Sequence, residues 1–258
     1  MEKPIISLAP WFDTPAGRYV RAWEQARLDE LTADIFGYNA VQIGLPCMDS
    51  LAANRMPNKW QTDSALFTLQ QSDSLQRVVL AHDFAELPFA TQSLDLVVLP
   101  HVLEFANEPH QILREVERVL IPEGQVIVCG FNPISMWGIR QGVGRITGSH
   151  FLPFHGEFIS VPRLKDWLKL LNMEVNRGHF GCYKPPFLTT KWLQRFAFLE
   201  KAGDRWWPYL GALYMVQAIK RVKGMRLVGP ALQRSTKRLS AGVPATNRMR
   251  VQIEVESE

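Results

Sequence analysis

His101 ends the apolar run LDLVVLP (residues 94–100), and an imidazole there is suited to move a proton, because its ordinary pKa lies near neutrality. A lone histidine can equally serve as a spacer or hydrogen-bond partner. Asp83 and Phe84 follow a second apolar run, VVLAH, and set a carboxylate acceptor beside a flat apolar ring. Asp63, 19 residues past Gly44, offers the paired acceptors of an ionised acid, with a turn aspartate as the alternative. Gly44 itself sits in YNAVQIGLPCM (38–48), where a missing Cβ would let a backbone approach a ligand. Beyond a third apolar run, NPISMWGIRQGVGRITG (132–148) is rich in glycine. It brings together Trp137, Arg140 and Arg145, with His150 and His155 soon after. The arginines would suit an anionic or carboxylated substrate, and a loop that merely covers a sheet edge is the plainer alternative.

Most of these groups fall at the ends of strand-like segments. VVLAH, LDLVVLP and QVIVCGF are short, rich in Val, Leu and Ile, and too continuous for half-exposed strands, so they read as buried parallel strands. Between the last two, PHQILREVERVL places Ile112, Leu113, Val116, Val119 and Leu120 at helical spacing. Asn107 is the expected cap, Pro109 suits the first turn, and Pro122, Glu123 and Gly124 should close the helix. Strand, helix and strand within one short stretch make a βαβ unit. In open α/β sheets ligands bind outside the carboxyl ends of the strands, which is where Leu99, Pro100 and His101 fall.

Four pieces of this stretch lie in register. They are Asp83 with Leu87-Pro88-Phe89, then Ser93-Leu94-Asp95, then His101-Val102-Leu103-Glu104, and finally Leu113-Arg114-Glu115 through Arg118-Val119-Leu120-Ile121-Pro122-Glu123-Gly124. In order and spacing they closely resemble the class I S-adenosylmethionine-dependent methyltransferases, small-molecule type 11 branch. The resemblance implies an α/β, Rossmann-like fold with a mostly parallel seven-stranded sheet and helices on both faces, the last run, Leu210 to Ile219, returning antiparallel. It implies S-adenosylmethionine as cofactor, with Asp63 on the ribose hydroxyls, Asp83 and Phe84 on adenine, and Gly44, Leu99 and Pro100 lining the methionine side. His101 becomes the candidate catalytic group, and Trp137, Arg140 and His155 the substrate side. The N-terminal segment, Trp11 to Arg21, would lie over the cofactor cleft.

The first glycine motif departs from that family. Its pattern is an acid, an apolar residue and Gly-x-Gly-x-Gly, whereas here Gln42 replaces the acid, Gly44 is kept, and Pro46 and Met48 stand where later glycines would. Proline removes an N–H as well. The cofactor is then either held in an adapted way or not held.

Elsewhere the expectations are coarser. Thr14 and Pro15 start a helix carrying Tyr19, Trp23, Leu28, Leu31 and Ile35 on one face up to Gly37. Asp49 to Met56 should form a short helix, Lys59 to Leu66 the second strand, Val161 to Leu171 a covering helix and Met173 to Cys182 a strand. Residues 183–208 hold Trp192, Phe196, Phe198, Trp206 and Trp207 and read as an aromatic insertion, more often core or lid than a membrane-surface patch. The expected organisation is an N-terminal cap over 1–37, a methyltransferase-like domain over 38–222 and a basic, unpatterned tail over 223–258.

With 258 residues, 47% hydrophobic and 21% charged, the chain has the composition of a globular protein. Three separated cysteines suggest neither a disulfide framework nor a metal site. No run is long enough to span a membrane and the N-terminal apolar segment is short for a signal peptide, so a cytoplasmic protein is expected. The net charge of +4 is uneven: from Arg205 to Ile253 there are ten basic residues and no acid. That stretch leaves a nucleic-acid methyltransferase open as an alternative to a small-molecule enzyme, although no RNA-binding motif accompanies it. The altered glycine motif leaves open a third, a methyltransferase-like module without turnover.

Overall fold

The computed structural model describes residues 8–63, 78–81, 86–147, 152, 156–186, 190–196 and 198–221. The chain divides into two units, Met1–Val222 and Lys223–Glu258, and the second, with the expected basic tail, lies outside the described residues. Asp83, Phe84, His150 and His155 lie outside them as well.

Seven strands form one sheet: β1 (Asn39–Ile43), β2 (Asn58–Asp63), β3 (Val78–Ala81), β4 (Leu94–Pro100), β5 (Leu120–Phe131), β6 (Met173–Gly181) and β7 (Leu213–Lys220). Their order is β3-β2-β1-β4-β5-β7-β6. All neighbours run parallel except β7, which is antiparallel to both β5 and β6. The direction of winding reverses between β1 and β4, which makes their carboxyl ends a topological switch point. The parallel core is dry. Ala40, Val41, Ile43, Leu96, Val97, Val98, Leu99, Val126 and Ile127 are all essentially inaccessible, as continuous apolar runs require.

Helix α1 (Ala9–Phe12) leads into α2 (Pro15–Ala33), α3 (Val102–Phe105) and α4 (Pro109–Val119). Thr14 caps α2, its hydroxyl accepting from the Gly17 N–H at 3.0 Å, with Pro15 in the first turn. That helix stops at Ala33, short of Gly37. At the head of α4 the cap position belongs to Glu108, not Asn107, with Pro109 in the first turn.

Pro122, Glu123 and Gly124 do not form a closing turn. The chain passes from Val119 straight into β5, and they make an irregularity in its pairing with β4, where the register shifts between Leu94 and Leu96. Asp49 to Met56 forms turns rather than a helix. The Asp49 carboxylate accepts from the Leu51 N–H and the Asn54 side chain from the Met56 N–H, local bonds that compete with a helical ladder.

The glycine-rich segment after β5, expected as a loop, is mostly α5 (Met136–Thr147). Ser135 Oγ accepts from the Gly138 N–H at 3.1 Å and starts it. Helix α6 (Val161–Leu170) covers the sheet as expected. Between β6 and β7 run α7 (Thr190–Arg195), α8 (Phe198–Trp206) and a 3-10 turn, Pro208–Leu210. The antiparallel pairing aligns Phe131 and Gly181 with Leu213, so this insertion and α5 leave the sheet at the same edge as the carboxyl ends of the parallel strands.

The matched motif around α4 has a structural explanation. Arg118 donates to the Leu87 carbonyl at 3.0 Å and the Phe89 carbonyl at 2.9 Å, while Glu115 accepts from the Leu87 N–H at 3.2 Å. Glu115 and Arg118 also pair at 2.8 Å, and hydrogen bonding to Arg118 holds the carboxyl below its ordinary pKa. This pair pins the Leu87-Pro88-Phe89 turn to the crossover helix.

Candidate functional site

The edge where β1 and β4 end is organised by two buried polar side chains, Gln42 and His101. Gln42 sits on β1 with its side chain inside the turn that follows. Its amide nitrogen donates to the carbonyls of Gly44 (3.0 Å), Leu45 (3.0 Å) and Met48 (2.8 Å), and its oxygen accepts from the Ser50 N–H at 2.8 Å. Gly44 and Leu45 adopt left-handed backbone, φ 74° and 52°, which glycine accepts readily and leucine at a cost. Leu45 and Met48 point into the core, while Pro46 and Cys47 are half-buried. Three inward carbonyls share the two N–H groups of this amide, which a carboxylate could not provide.

Helix α2 lies across this turn. Arg21 donates to the Cys47 carbonyl at 2.6 Å and Gln25 to the Asp49 carbonyl at 2.8 Å. Trp23 lies against Gly181, where any Cβ would sit about 2.1 Å from the indole.

His101 follows β4 and is also left-handed, φ 58°, a conformation sparsely used by non-glycine residues and common at functional sites. Its ring is completely buried between two carboxylates: Nε2 lies 2.7 Å from Glu24 Oε1 on α2, and Nδ1 lies 2.8 Å from Glu104 Oε2 on α3. Glu104 Oε1 accepts from the Phe131 N–H at 2.5 Å, tying the cluster to the end of β5.

Burial alone would push the imidazole down. The charge of Glu24, then hydrogen bonds to both carboxylates, outweigh it and hold the pKa at about 10. Burial raises Glu104, against the pull of His101. Both shifts favour protons on the cluster, but a protonated Glu104 and a charged pair are different states. The raised His101 pKa corresponds to the imidazolium, whose two N–H groups can donate to both carboxylates at once.

Aromatic rings pack around His101 at the ends of β4 and β5. Phe131 lies 4.7 Å from it, and Trp11 meets Phe12, Phe131 and Trp137 edge-on at 5.5, 6.0 and 6.2 Å between centroids. Two buried polar atoms in this cluster have no hydrogen-bond partner among the described residues, Glu24 Oε2 and Trp11 Nε1. Buried orphans are uncommon in native proteins, and strain, a water, an ion or a ligand can account for one.

The structure therefore brings Gly44, Leu99, Pro100 and His101 to one edge. Asp63 is the last residue of β2, at the same edge. Trp137 is not in an open loop: it is buried, and its indole N–H donates to the Lys184 carbonyl at 2.7 Å. Arg140 donates to the Pro186 carbonyl. His101 has both ring nitrogens engaged, so in this arrangement neither is open to a substrate proton.

Sequence reasoning missed Glu24 and Glu104. The signal for Glu24 was present: it shares the buried face of α2 with Val20, Leu28 and Leu31, and an acid on such a face needs a partner.

Comparison with known proteins agrees with this architecture. A family model described as "Methyltransferase domain" matches residues 59–128. The uncharacterized protein YafS of Escherichia coli K12 is 30% identical over 251 residues, 96% of each chain. A Thermotoga maritima S-adenosylmethionine-dependent methyltransferase, described as a possible histamine N-methyltransferase, superposes with a TM-score of 0.59 at 15% identity, over 82% of this chain and 93% of that one. A Haloferax volcanii putative methyltransferase, solved with its Trm112 activator, gives 0.60 at 16% identity, over 86% and 99%. At those identities the likeness concerns the fold.

Proposed function

Because the chain belongs to the class I methyltransferase family, we propose that it transfers a methyl group from S-adenosylmethionine to a small molecule. What supports this is the edge at the β1/β4 switch point, which gathers the left-handed Gly44 turn after β1 and, on His101 after β4, a buried Glu24 whose second carboxylate oxygen has no partner among the described residues.

The residues present suit the cofactor. Glu24 Oε2 matches its α-ammonium, and Asp63, at the end of β2, supplies acceptors for the ribose hydroxyls. Asp83 and Phe84 would meet the adenine. Leu99 and Pro100, both buried, would line its methionine side. When bound, the cofactor supplies an electrophilic methyl on a sulfonium, a good leaving group.

The protein's own task is then to align the nucleophile and exclude water. The aromatic lid of Trp11, Phe12 and Phe131 does the second. His101 acts as a positioning residue that locks α2 over the sheet and holds Glu24 in place. Trp137, Arg140 and His155 remain the candidates for the acceptor side.

The Gln42 network favours a second possibility, a cofactor-binding or silent module, because it commits the first turn's carbonyls and Pro46 offers no N–H. Calorimetric titration with S-adenosylhomocysteine separates the enzyme from a silent module that has lost the cofactor. Saturable heat is expected; no binding at millimolar ligand would remove the enzymatic proposal.

A further inference from the structure

The chain between Asp204 and Leu210, DRWWPYL, is exposed at seven consecutive positions. Trp206 is 70% exposed, Trp207 55%, Tyr209 74% and Leu210 46%. Large apolar side chains standing together in water are unfavourable, whereas scattered ones need no explanation. Phe36, Tyr38 and Leu170 are such scattered cases, at the opposite edge of the sheet.

The backbone beneath these rings is firmly tied. Asn132 donates to the Tyr209 carbonyl at 2.8 Å, Tyr183 donates its hydroxyl to the Pro208 carbonyl at 2.8 Å, the Trp207 N–H reaches Gly203 at 2.9 Å and the Leu210 N–H reaches Trp207 at 3.0 Å. The turn is thus a braced platform that holds its aromatic side chains outward. Phe198 on α8, Ile139 on α5 and Ile134 just before α5 are exposed as well, and Ile134 is two residues from Asn132, which holds the Tyr209 carbonyl.

The charge in the surrounding sequence is net positive. Between Lys184 and Leu210 the sequence carries Lys184, Lys191, Arg195, Lys201 and Arg205 against two acids, Glu200 and Asp204. Glu200 is already engaged by the Tyr19 hydroxyl and the Cys182 N–H. Tryptophan and tyrosine have apolar bodies and polar tips, the pattern of side chains at a membrane–water boundary, and nearby lysine and arginine favour anionic lipid. Among the described residues no helix is long and apolar enough to cross a membrane, so the contact would be superficial.

We propose that this face, built on Trp206, Trp207, Tyr209 and Leu210, docks on an anionic phospholipid surface. It lies on the edge that carries the candidate site. Docking does not depend on the methyltransferase assignment. If that assignment holds, the acceptor would be an amphiphile taken from the bilayer.

The test is co-sedimentation of the full chain with vesicles of phosphatidylcholine alone and of phosphatidylcholine with phosphatidylglycerol, following tryptophan emission. The wild-type chain should sediment with the anionic vesicles and shift to the blue, and W206S/W207S should weaken this by about tenfold or more, since binding scales with buried apolar area. The variant's unfolding midpoint and its titration with S-adenosylhomocysteine should match wild type, which separates this outcome from any failure of the cofactor assignment. Absence of binding to either vesicle would overturn the proposal. So would binding undiminished in the variant, which would mean charge elsewhere on the chain, or a change in oligomeric mass on mutation, which would assign the face to a second copy.

Discussion

Two turns meet at the switch point, and they stabilise a buried edge by different chemistry. After β1, a neutral amide on Gln42 gathers three carbonyls and one N–H. After β4, a charged ring on His101 bridges carboxylates from two helices. The first is local, joining residues at most eight apart, whereas the second joins α2, α3 and β5. The difference shows where the lid is fastened: α2 rests on the first turn through Arg21 and Gln25, but it is locked by charge at the second.

The sharpest way to break this contrast is His101→Ala. It leaves two buried carboxylates without their cation, and removing one partner of such a cluster typically costs about 3–5 kcal/mol, readable in denaturant unfolding. A loss under about 1 kcal/mol would mean that the cluster is not charged.

The same cluster sets a pH dependence of the folded state. The pKa of His101 lies above its unfolded value, so its contribution is fully present below about pH 6.5 and is lost as pH rises toward about 10. Unfolding midpoints should fall across that window in the wild-type chain and flatten in His101→Gln. Equal slopes in both would detach the effect from this ring.

At the first turn, Gln42→Glu restores the acid of the family pattern but faces it with three carbonyls. A loss of about 3 kcal/mol is expected, the cost of buried groups left unsatisfied next to a charge. An unchanged stability would mean that the turn can open to accept donors, as a glycine-rich motif would. The smallest effect concerns the ligand: Asp83→Ala should weaken cofactor binding by about 1–3 kcal/mol in titration, and unchanged affinity would remove Asp83 from the site.

The sheet was legible because buried parallel strands leave continuous apolar runs, and Arg118 with Glu115 left a motif that fixed the crossover. Helix α5 was not legible, since its glycines mimic a loop and its start depends on Ser135 and on close packing against Asn132 and Pro133. Asp49 to Met56 misled in the opposite direction, because Asp49 and Asn54 spend their side chains on turns. At the site, His101 could be picked out but its role could not, because Glu24 lies 77 residues away and only the fold brings it there. Gln42 looked like a loss of function, whereas in three dimensions it is the centre of a hydrogen-bond network.

The most direct test is a crystal of the full chain grown with S-adenosylhomocysteine. Density across the ends of β1, β2 and β4, with Glu24 Oε2 on the ligand's ammonium and the Gln42 bonds intact, is the predicted result. A well-ordered edge packed by Leu45, Met48 and Trp11 with no ligand density at saturating concentration would contradict it, leaving a methyltransferase fold without its cofactor.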